Sequence, residues 1–128
     1  MDNTAQEQRL EISVGAAPLG AILTLRGALD MVTRSRLKDE LDRAVCTLPD
    51  PPMMVLDVSG LTFCDSSGLS LLIAAWKKVE HCGGSLALIG VHGRLDRILR
   101  LSGLDRVLPS YPTLAEAERG MWAATRDS

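Results

Sequence analysis

The chain has 128 residues, 46% of them hydrophobic, enough for one sizeable core but not for two independent ones. Lys plus Arg total 14 against 16 Asp plus Glu, a net charge of −2, so there is no broad positive field to hold nucleic acid or an anionic membrane directly. Three cysteines, Cys46, Cys64 and Cys82, are odd in number and too far apart for a CxxC pair, which excludes a disulfide framework and fits a cytoplasmic thiol protein.

Residues 1–8 are mostly polar and lack the apolar core of a signal peptide. No run of roughly 18 apolar residues occurs, so stable membrane insertion is not expected. The expected organisation is a flexible tail over 1–8, one domain over 9–122 and a short flexible tail over 123–128.

Leu10-Glu11-Ile12-Ser13-Val14 alternates apolar and polar side chains and predicts a strand. Ala21 to Arg26 predicts a second, with the turn between them at Gly15 to Gly20. From Thr33 to Leu48, Leu37, Leu41, Ala44, Val45 and Leu48 recur at helical spacing, and Pro49, Pro51 and Pro52 end that helix. Met53 to Val58 is a compact apolar run of strand length, expected at the centre of the sheet.

Ser59 to Asp65 reads as a connection into the strongest helical stripe, formed by Leu69, Leu72, Ile73, Trp76 and Val79, with an exit at His81-Cys82-Gly83-Gly84. Ser85 to Val91 predicts another buried strand, followed by a short helix that places Leu95, Ile98 and Leu99 on the core and ends at Gly103. Val107-Leu108 is read as a brief edge strand. Thr113 and Glu116 match a capping box that opens a last helix carrying Leu114, Ala117 and Met121. The order β-β-α-β-α-β-α-β-α predicts a single α/β domain with a mixed central sheet and surrounding helices.

Asp65-Ser66-Ser67-Gly68 lies where a buried strand gives way to that strongest helix. Asp65 or Ser66 can cap first-turn amides, and Gly68 permits close backbone packing. These structural roles need no partner. A solvent-facing Ser67 hydroxyl can also be phosphorylated, adding roughly −1.5 to −2 charges and three acceptor oxygens. Helix amides can tolerate that phosphate within the fold, while its charge and bulk exclude a closely packed partner.

Taken together, Gly27-Ala28-Leu29-Asp30, Val55-Leu56-Asp57-Val58-Ser59, Asp65-Ser66-Ser67-Gly68 and Ser85-Leu86-Ala87-Leu88-Ile89-Gly90 give the chain a pattern that resembles the anti-sigma factor antagonist family over about residues 10–121. The resemblance implies a STAS fold. It also implies that the unmodified protein binds an ATP-dependent anti-sigma serine kinase and so releases a sigma factor, which is regulated indirectly. By the same resemblance Ser67 is the serine that the kinase phosphorylates, disabling antagonism. The resemblance also implies that Asp30, Asp65, Ser66, Ser67 and Gly68 form the partner surface. Ala28 stands where many relatives carry an acid, so the charge around Asp30 is distributed differently here.

His81 and His92 occupy unspecific contexts, and nothing converges on a Ser-His-Asp enzyme, so no catalytic residue is assigned. Cysteines and histidines lack paired metal-ligand spacing, and no P-loop is present, so neither a metal nor another cofactor is expected. ATP and the transfer machinery are expected on the kinase. The competing reading is a noncatalytic STAS subunit of a membrane-associated transport assembly.

Overall fold

The computed structural model describes residues 9–17 and 20–126. Along them run β1 (Glu11–Ala17), β2 (Gly20–Leu29), α1 (Arg34–Thr47), β3 (Met53–Cys64), α2 (Ser66–His81), β4 (Ser85–Ile89), α3 (Gly93–Ser102), a 3-10 turn (Leu104–Arg106), β5 (Ser110–Tyr111) and α4 (Leu114–Arg126). The five strands are ordered β1-β2-β3-β4-β5, with β1 antiparallel to β2 and every other neighbour parallel. The expected mixed sheet and element order therefore hold.

Sequential parallel strands joined by right-handed crossovers place every crossover helix on the same face. Met54, Leu56 and Val58 of β3 accordingly share one cluster with Leu37 and Leu41 of α1, Leu72 and Val79 of α2, and Leu95 and Leu99 of α3. The intervening Met53 and Val55 point the other way and meet Ala117 and Met121 of α4. Strand alternation thus explains why Met53 to Leu56 reads as a continuous apolar run: both faces are covered.

Four sequence expectations are corrected. Gly15 to Ala17 is not turn but strand, pairing with Ile22, Ala21 and Gly20, while residues 18–19 of that expected turn lie outside the described residues. Ser59 to Cys64 is not a connection: β3 continues through it alongside β2, which reaches Leu29, with register shifts that absorb the polar stretch. Strand β4 stops at Ile89, short of Val91. The last strand is Ser110–Tyr111 rather than Val107-Leu108, where the chain leaves a 3-10 turn and buries Leu108.

The buried side of α2 is also rotated from the predicted stripe. Leu72 and Val79 are buried as expected, but Leu71 and Ala75 join them, while Leu69, Ile73 and Trp76 are only partly covered. Gly103 does end α3, in the left-handed conformation at φ 79° that favours glycine. Thr113 Oγ1 accepts the Glu116 amide at 3.2 Å, the forward half of the predicted capping box. Helix α4 continues to Arg126. The expected tail at 1–8 and residues 127–128 fall outside the described residues.

Candidate functional site

All three crossover helices begin at the carboxyl edge of the sheet, so the turns after β2 and β3 lie side by side. In the turn after β3, Asp65 has extended backbone and caps α2: its Oδ1 accepts the Gly68 amide at 2.9 Å and the Ser67 hydroxyl at 2.8 Å. Its main-chain amide donates to the Leu29 carbonyl at 3.2 Å, and Oδ2 accepts the Met31 amide at 3.3 Å. One carboxylate therefore fixes a helix start and ties it to the neighbouring turn. The Gly68 amide, followed by the Ser67 hydroxyl, holds the Asp65 carboxyl below its ordinary value.

Of the two residues able to cap α2, Asp65 does so, while Ser66 is exposed and Ser67 half-buried. Gly68 is buried because nothing larger fits: a Cβ there would lie 2.7 Å from the Leu29 carbonyl oxygen and 2.8 Å from the Leu29 side chain. Beside it, burial and then the Asp65 charge push the Cys64 thiol up to about 11.

The turn after β2 is built on Asp30 and Thr33. Asp30 Oδ1 accepts the amides of Val32 at 2.9 Å and Thr33 at 3.0 Å. The Asp30 amide donates to Thr33 Oγ1, which itself donates to the Ala28 carbonyl at 2.8 Å. Thr33 is thereby a buried polar side chain with its hydrogen bonds satisfied. Its turn projects Met31 and Val32 into solvent, 74% and 84% exposed.

The predicted residues thus gather at one rim, Asp65 through Gly68 in one turn and Asp30 in the next, linked through the Met31 amide. Sequence reasoning missed three neighbours. Met31 and Val32 give the rim an exposed apolar knuckle. Arg34, at the start of α1, donates from Nε to the Ser67 carbonyl at 3.3 Å. A cleft of about 770 Å3 runs alongside, between Phe63 and Cys64 of β3 and the start of α3 at His92 to Leu95. Among the described residues, no three His, Cys, Asp or Glu side chains gather as a metal would require, and no helix is long and apolar enough to cross a membrane.

Comparison with known proteins identifies relatives of the chain and of its fold. A family model described as STAS domain matches residues 10–117. An anti-sigma F factor antagonist of Paenibacillus polymyxa is 32% identical over 90 residues, covering 70% of this chain and 76% of that protein. The anti-sigma-F factor antagonist RsfB of Mycobacterium tuberculosis is 30% identical over 104 residues, covering 79% and 80%. Among solved structures, an anti-sigma factor antagonist from Mycobacterium paratuberculosis superimposes with a TM-score of 0.76 at 27% identity, covering 88% of this chain and 93% of that one. The chain belongs to the STAS domain family and, within it, to the anti-sigma factor antagonists.

Proposed function

We propose that this protein is a noncatalytic switch in which the STAS domain, over residues 9–122, binds an ATP-dependent anti-sigma serine kinase and frees the sigma factor it holds. Asp30, Asp65, Ser66, Ser67 and Gly68 form the recognition rim, and phosphorylation of Ser67 ends the association. The observation that carries this reading is the placement of Ser67: a first-turn hydroxyl held by Asp65, beside the solvent-facing Met31 and Val32, in a chain of the anti-sigma factor antagonist family.

The physical sense of the switch is that a dianion placed there is tolerated by the fold and not by a docked surface. First-turn amides of α2 favour negative charge. A partner packed over Met31 and Val32 would have to accommodate both added charge and added volume. The kinase supplies ATP and the transfer chemistry.

The test is to incubate the purified chain with its cognate kinase and ATP, map the modified residue by peptide mass spectrometry, and measure kinase binding of both forms by calorimetry. Modification is expected at Ser67 and absent from Ser67→Ala, with binding weakened at least about tenfold, or roughly 1.4 kcal/mol. Modification confined to another residue, or equal affinity of the two forms, overturns the reading. Recovery of a transport ATPase with its membrane partners, in place of a kinase, would favour the transport-assembly role.

A further inference from the structure

Arg34 opens α1, yet its guanidinium crosses to α2 and donates from Nε to the Ser67 main-chain carbonyl at 3.3 Å. That bond is long for N–H···O and sets a cation against a neutral acceptor. The side chain is half-buried, takes no part in the ion pairs of the described residues, and makes no hydrogen bond there through its Nη atoms. Asp65, the acid of the adjoining turn, is committed instead to Gly68, Ser67 and Met31. A forked donor with most of its N–H groups uncommitted therefore stands against the residue read as the phosphoacceptor.

We propose that Arg34 is the built-in receptor for a phosphate on Ser67, an inference that rests on Ser67 being the modified residue. Transfer forms the Oγ–P bond, breaks the bond between the γ-phosphorus of ATP and its β–γ bridging oxygen, releases ADP, and passes the hydroxyl proton to a base of the kinase. The proton that Ser67 donates to Asp65 Oδ1 is then gone, and two anionic groups face each other where a 2.8 Å hydrogen bond stood. Repulsion turns the phosphate away from Asp65, and the guanidinium meets it with a geometry suited to paired phosphate oxygens. Arg34 leaves the Ser67 carbonyl for the phosphate and holds the modified turn in one conformation, so a partner is displaced by fixed bulk as much as by charge.

The test needs no kinase. Phosphoserine is installed at position 67 of the full chain during synthesis, and the phosphate is titrated by 31P NMR in the parent protein and in Arg34→Gln and Arg34→Lys. In the parent the second ionisation falls below its ordinary value of about 6. Arg34→Gln raises it by about one unit, a tenfold gain in proton affinity, and Arg34→Lys recovers part of the difference. Amide spectra confirm the fold of each variant, and the α2 amides contribute equally in all of them. Phosphoserine placed at the exposed Ser66 is the control and is not moved by Arg34→Gln. Identical titration of the parent and Arg34→Gln overturns the proposal, as does an equal shift at both positions, which would mean a diffuse charge effect. A kinase that ignores Ser67 would overturn the phosphoacceptor reading and leave this titration unmoved.

Discussion

The turns that lead into α1 and α2 both begin with an aspartate, and they use it differently. Among the described residues, the Asp30 carboxylate bonds only within its own turn, to the amides of Val32 and Thr33 and the Thr33 hydroxyl. Asp65 caps its helix and also reaches the Met31 amide across 34 positions of sequence. The first turn is self-contained and presents an apolar knuckle. The second is a junction, in which one carboxylate holds both the Ser67 hydroxyl and the Met31 amide of the knuckle. A carboxylate becomes a relay when its second oxygen has a distant donor, a difference that residue type alone does not express.

The hardest way to break the junction is to crowd it. Gly68→Ala forces a methyl against the Leu29 carbonyl oxygen at 2.7 Å, closer than real Cβ contacts come. It is expected to cost about 1–3 kcal/mol in denaturant unfolding, and a cost near zero would mean the two turns can separate freely.

Next in size is the contrast between the two acids. Asp65→Ala removes the α2 cap and the tie to the neighbouring turn, and is expected to lower the denaturant midpoint, with faster hydrogen exchange at both Gly68 and Met31. Asp30→Ala removes the side-chain acceptor of its turn, should cost about 1 kcal/mol, and should release the Val32 and Thr33 amides while Gly68 stays protected. Loss of Gly68 protection in Asp30→Ala would erase the distinction between the turns.

Acid gives the smallest effect. The Asp65 carboxyl is held below its ordinary value in the folded protein, so its contribution is complete above the unfolded value of about 3.9 and is lost as pH falls through the lower folded value. Exchange measured at falling pH, corrected for intrinsic rates, should therefore show Met31 and Gly68 losing protection together below about pH 4. Separate losses would show that the two oxygens of Asp65 do not act as one tether.

Element order and the mixed sheet were legible because each strand and helix carries its own periodic signal. The face of α2 was not, since Leu69, Leu71, Leu72, Ile73, Ala74, Ala75 and Trp76 surround most of the helix with apolar residues and leave periodicity little to select. Ser59 to Cys64 looked like a loop because its strand character comes from pairing with β2, a tertiary effect. Asp65, Ser67 and Gly68 could be singled out by residue type at a strand-to-helix junction. Arg34, Met31 and Val32 could not, because their significance lies in what sits across from them.

The cysteines acquire a practical meaning from the direction of the helices. Cys46 and Cys82 are exposed at the carboxyl ends of α1 and α2, which at 1.5 Å per residue places them about 20 Å from the rim where those helices begin. Cys64, beside the rim, is partly buried and its thiol is pushed up to about 11, so it carries far less thiolate at neutral pH than an ordinary thiol. A maleimide dye would therefore decorate the far side and spare the recognition rim, giving a fluorescent reporter of docking without any engineered attachment point.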